Sequence, residues 1–137
     1  MVALAKVYPQ RLSLQQLARE EQIPRKFLEH VIRSLKEGGL LQSIPGPKGG
    51  YELAEAPSLI SVGRVLAAVQ MPLLTPSPPL VSSSNLPEHL HEPVERLERV
   101  VNEIKSFARQ RLDSVTLAEL AEIDQVTDSS AVFMYYI

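Results

Sequence analysis

Arg25, Lys26, Glu29, His30 and Arg33 are the polar side chains whose types and spacing could do chemistry together. At about 100° per helical residue they fall on one face of a single helix, opposite Leu28, Val31, Ile32 and Leu35. A guanidinium or ammonium on such a face can donate to a guanine edge or to phosphate, whereas a carboxylate can accept from a cytosine amino group and otherwise repels phosphate. Lys48 adds a cation in the turn Pro45-Gly46-Pro47-Lys48-Gly49-Gly50, where small Gly49 and Gly50 let backbone approach another surface. These eight positions are the candidate contacts to double-stranded DNA. The same residues would also suit a solvated helix face followed by a plain hairpin turn.

Other chemistry has less to stand on. With no cysteine the chain has no disulfide, thiolate zinc site, thiolate cluster or cysteine nucleophile. His30, His89 and His91 stand among carboxylates, but His89 and His91 are two residues apart near a helix start and do not share a helical face. No nucleophile–base pair or phosphate loop is present, so neither catalysis nor a cofactor is expected. The apolar runs are too short for a membrane helix or a signal peptide, which predicts a cytoplasmic protein without membrane contact. The formal net charge of −2 conceals an asymmetry: residues 1–53 carry eight Lys/Arg against five Asp/Glu, and residues 54–137 carry six against eleven. A mildly basic head on an acidic body suits a nucleic-acid reader.

The elements that must position these residues follow from capping and periodicity. Ser13, with Gln16 three residues on, opens a short helix through Glu20, and Pro24 breaks into a second helix that ends at Gly38-Gly39. Counting from Leu14, the spacing of Leu17, Ala18, Ile23, Leu28 and Val31 matches a helix-turn-helix, with Ala18 small where the second helix crosses. Gln22 stands where glycine is common. Leu40-Leu41-Gln42-Ser43-Ile44 and Tyr51-Glu52-Leu53, joined by the proline–glycine turn, read as a β-hairpin, and the unit becomes a winged helix. Ser61 caps a helix from Val62 to Gln70, and prolines and serines dominate the following segment.

From about Glu88, apolar residues Leu90, Val94, Leu97, Val101, Ile104 and Ala108 are spaced 4, 3, 4, 3, 4 with charged flanks. Such an a/d seam suits lengthwise pairing with a second helix, and in so small a chain it predicts a homodimer. Thr116 then caps a short helix through Ile123, and the tail from Ala131 to Ile137 is apolar and aromatic. The expected fold is mainly α: a winged helix-turn-helix head over 1–70, a Pro/Ser-rich loop over 71–87, and a dimerisation helix, short helix and tail over 88–137.

The run Phe27-Leu28-Glu29, then Leu35, Gly38-Gly39-Leu40-Leu41, the wing from Ser43 to Ala54 and Ile60-Ser61-Val62-Gly63 resemble the Rrf2 family of bacterial transcription regulators. Leu112 to Leu120 resembles the family's segment after its dimerisation helix, so the likeness covers nearly the whole chain. It implies a dimer on a palindromic operator, acting as a repressor and often sensing iron–sulfur status, redox state or a metabolite. Three departures qualify that. The loop where cluster-binding members place three cysteines has none here; Pro45 stands where the wing usually carries arginine; and the first helix would be shorter than the family's by more than a dozen residues. The cysteine-free loop and the isoleucine-ending tail resemble the cysteine-metabolism repressor branch, which implies docking of cysteine synthase on Tyr136 and Ile137. Rival classes are a winged helix used only for protein contacts and, less well supported, a metal-dependent enzyme.

Overall fold

A computed structural model describes residues 1–71 and 87–123. Helix α1 (Val2–Val7) turns Leu4 into the core. Helix α2 (Leu14–Glu20) starts on a complete capping box: the Ser13 hydroxyl accepts from the Gln16 amide at 3.2 Å, and the Ser13 amide donates to the Gln16 side chain at 2.9 Å. Two of the orphan donors of the first turn are thereby satisfied within the sequence itself. Between α2 and α3 (Arg25–Glu37) the chain turns at Gln22, whose φ of 52° explains why glycine suits this place. Helix α3 buries Leu28, Ile32 and Leu35, while Val31 is half-buried. It ends at Gly38, and Gly39 follows at φ 71°, a left-handed stop that a side chain would strain.

Strands β1 (Leu41–Ile44) and β2 (Gly50–Leu53) pair antiparallel in the register Leu41 with Leu53 and Ile44 with Gly50. Leu41 and Leu53 point inward, while Gln42 and Glu52 on the other face are joined by a 2.8 Å hydrogen bond. Leu12, ahead of α2, bridges to Tyr51, so the hairpin is stitched to the helical layer on its second edge. A 3₁₀ turn (Pro57–Leu59) leads to α4 (Val62–Ala68), which Ser61 caps; this helix ends two residues before the Gln70 expected from sequence. After another 3₁₀ turn (Glu88–Leu90), α5 (His91–Asp113) is the longest helix among the described residues. Among the described residues a further helix, α6, covers 117–123 and opens on a Thr116–Glu119 capping box.

One core serves the whole described chain. Leu4, Leu17, Leu28, Ile32, Leu35, Leu40 and Ile60 pack together, and Leu117 joins them from beyond the long helix. Main-chain bonds bring it there: Leu117 donates to Ile60 at 2.9 Å and Val62 to Val115 at 2.8 Å, with Ser61 bridging Thr116. Leu117, at the start of α6, thus packs in the same core as the head. Among the described residues no helix is long and apolar enough to cross a membrane.

Candidate nucleic-acid interface

Helix α3 is held by its apolar side, which leaves the opposite side to solvent. Arg25, Lys26, Glu29, His30 and Arg33 are all exposed, as the spacing predicts. They are not equally available. The Arg25 Nε donates to Glu29 Oε1 at 3.0 Å, an i,i+4 ion pair in which the two side chains remain 70% and 48% exposed. Such a pair is worth about 0.3–0.5 kcal/mol, so a phosphate or a base edge can displace either partner. Lys26, His30 and Arg33 make no side-chain hydrogen bond or ion pair among the described residues. Three donors on one helix face are therefore uncommitted.

The wing extends this surface. Residues 45–48 are exposed, with Lys48 at the tip. Gly49 and Gly50 have a steric reason to be small. A Cβ on Gly49 would collide with the Ile44 carbonyl, and one on Gly50 would stand 2.6 Å from the Leu12 carbonyl oxygen. Hairpin closure and the Leu12 bridge demand glycine here whether or not a phosphate approaches.

Between α3 and the wing lies a cleft of about 400 Å³, lined by Glu29, Ile32, Arg33, Lys36, Glu37 and Tyr51. The Lys36 Nζ donates to the Ser43 hydroxyl at 3.0 Å and ties the end of α3 to β1. Lys36, Glu37 and Tyr51 were not singled out by sequence. Lys36 follows Arg33 by three residues and could have been found by carrying the helical face one turn further; Tyr51 depends on hairpin register and carries no comparable signal. Arg64 on α4 fixes the segment that follows β2. It donates to both carboxylate oxygens of Glu55, at 3.1 and 2.8 Å, and to the Leu59 carbonyl at 3.0 Å. Its hydrogen bonds hold the Glu55 carboxyl below the usual carboxylate range and push the guanidinium further up.

On α5 the structure divides the expected seam. Val94, Val101 and Ala108 are half-buried, whereas Leu90, Leu97 and Ile104 are exposed. Val100 and Phe107, outside the a/d pattern, are exposed with them. The open apolar stripe is Leu97, Val100, Ile104 and Phe107, spaced 3, 4, 3 and turned by about 50° from the seam read off the sequence. Tyr136 and Ile137 lie outside the described residues.

A three-helix head with a hairpin wing, a cationic outward helix face and a long apolar-striped helix is the architecture of winged-helix regulators. The family described as Rrf2, iron-dependent transcriptional regulators, matches residues 1–123. This chain belongs to the Rrf2 family. The Rrf2-like regulator of Rhodobacter capsulatus is 31% identical over 114 residues, which cover 82% of this chain and 75% of that protein. The regulator CymR of Bacillus subtilis is 30% identical over an alignment covering 100% of this chain and 91% of its own. Solved structures agree: B. subtilis CymR superposes with a TM-score of 0.65 at 26% identity, covering 89% of this chain and 87% of that one. The T. potens IscR structure superposes at 0.67 and 25% identity, covering 90% and 78%. This Rrf2 protein is thus a transcriptional regulator with a DNA-binding winged helix, and the enzyme reading of its histidines falls away because these relatives and neighbours are regulators.

Proposed function

We propose that this Rrf2 protein is a homodimeric repressor that reads a palindromic operator through α3 and the wing. The observation that carries this is the uncommitted cationic face of α3, where the Lys26, His30 and Arg33 side chains make no hydrogen bond or ion pair among the described residues while the opposite face is locked into the core. Arg33 and Lys26 reach base edges or phosphate, His30 and the exchangeable Arg25–Glu29 pair flank them, and Lys48 with the backbone of Gly49 and Gly50 follows the neighbouring phosphates. The stripe on α5 supplies the second half of the argument. A two-fold pairing of α5 with α5 buries it on both copies and presents two α3 helices to two half-sites. The half-buried Val94, Val101 and Ala108 and the exposed Leu90 border that contact.

The kinship with CymR, described as the global cysteine regulator of B. subtilis, supports assigning the regulated genes to cysteine metabolism, with cysteine synthase as a partner at Tyr136 and Ile137. Selection of bound duplexes from a random pool tests the main reading. It should return an inverted repeat whose half-sites lie about one helical turn or a multiple of it apart, and binding should fall with salt in proportion to the phosphates contacted. Recovery of no enriched sequence, with salt-independent retention, would contradict it.

A further inference from the structure

On the side of α3 away from the wing, the C-terminal end of α4 leaves an open apolar groove of about 430 Å³. Its walls are Phe27 and Val31 from α3 and Leu66, Val69 and Met71 from α4 and its exit. Phe27, at 61% exposed, and Met71, at 38%, are large apolar side chains left to water. Gln70, also on the lining, adopts φ 55°, and Met71 turns back to donate to the Leu66 carbonyl at 3.0 Å. The size and the mainly apolar lining are those of small-molecule sites, about 300–1,000 Å³ with a few placed polar groups.

The polar groups indicate the occupant. His30, Ser34 and Gln70 stand on the lining, and among the described residues no carboxylate does. Ser34 spends its hydroxyl on a long 3.4 Å bond to the His30 carbonyl within its own helix, which a better acceptor can replace. An ammonium head group would meet no counter-charge. A carboxylate would meet an imidazole, a hydroxyl and an amide, all able to donate.

We propose that this groove binds a small amphipathic carboxylic acid, its phenyl or alkyl body between Phe27 and Leu66 and its head at His30 and Ser34. Because His30 belongs to the DNA-facing side of α3, the acid competes for a residue the operator uses. This regulatory consequence rests on the proposed function; the binding site itself does not.

The test uses 4-phenylbutyrate on the full chain, followed by amide chemical shifts and by calorimetry. Saturable binding of one molecule per chain is expected, with shifts at Phe27, Val31, Ser34, Val69 and Met71. Ser34→Trp, which fills the groove, should weaken binding at least about tenfold. The chain has no tryptophan, so the new indole also reports whether the variant is folded. Saturating ligand should weaken operator binding about tenfold. No binding up to about 10 mM, or shifts elsewhere, would overturn the site. Shifts of the same amides on raising protein concentration alone would give the groove to a second copy and equally overturn it. Binding in the groove with operator affinity unchanged would overturn the regulatory half. A chain that binds no DNA in any condition would refute the functional reading, while the shift map would still decide the site.

Discussion

Replacing Ile104 and Phe107 together by alanine should dissociate the proposed dimer without unfolding the chain. Ile104 is 59% and Phe107 66% exposed, so most of each side chain has no apolar cover within one copy. Full burial of such a side chain is worth about 1.5–3 kcal/mol, which leaves about 1–2 kcal/mol per residue to be gained on pairing. A two-fold interface counts each twice, so the double variant loses about 4–8 kcal/mol per dimer. At 1.4 kcal/mol per decade the dissociation constant rises by about three to six orders of magnitude. Alanine is a strong helix former, and both positions are on the solvent side of α5, so helix content should hold. Sedimentation velocity over a concentration series, with circular dichroism alongside, reads both quantities. The companion variant Val94→Ala with Val101→Ala changes half-buried positions of the original seam and should weaken the dimer less. Unchanged mass for the Ile104/Phe107 variant refutes the argument; greater dissociation of the Val94/Val101 variant would restore the a/d seam.

Arg33→Ala should weaken operator binding by about 1–3 kcal/mol and relax specificity at one position, as read in competition with altered sites; Lys48→Ala should weaken all sequences alike and flatten the salt slope by about one. Gly50→Ala drives a Cβ against the Leu12 backbone and should cost about 1–3 kcal/mol in denaturant unfolding, whereas the exposed Ala54→Ser should change little. Glu55 has its folded pKa depressed by Arg64, so its contribution is present above the ordinary carboxylate range and is lost as pH falls through the depressed value. Thermal melts of Glu55→Gln should accordingly differ from the parent near neutrality and converge with it at acid pH.

The head was legible because its signals are local. The Ser13–Gln16 box, Pro24, Gly39 and the alternation in Tyr51-Glu52-Leu53 each dictate backbone within a few residues, and the elements stand where those signals put them. The outward face of α3 followed from its inward one, since a helix that buries Leu28, Ile32 and Leu35 has no choice about where Arg33 points. What escaped was decided at a distance. Heptad counting ranks Val101 with Ile104, but the surroundings of α5 half-cover Val101 and leave Val100 and Phe107 open. Glu29 at i+4 is the usual partner for Arg25, but spacing alone does not tell whether the two side chains meet. The groove between α3 and α4 joins Phe27 to Met71, far apart in sequence, and no periodicity connects them.

The return of the chain from α5 to the head has an evolutionary consequence. Across that junction the Val62 amide donates to the Val115 carbonyl and the Leu117 amide to the Ile60 carbonyl, and the Ser61 hydroxyl donates to Asp113 at 3.4 Å, so the long helix leaves the head at an angle written largely in backbone. In a dimer built on α5, that angle sets how far apart the two reading helices stand. Substitutions on α3 can then retune which bases are preferred one at a time, while the distance between half-sites stays an inherited dimension that side-chain drift hardly touches. Operators of such a regulator should diversify in letters long before they diversify in length.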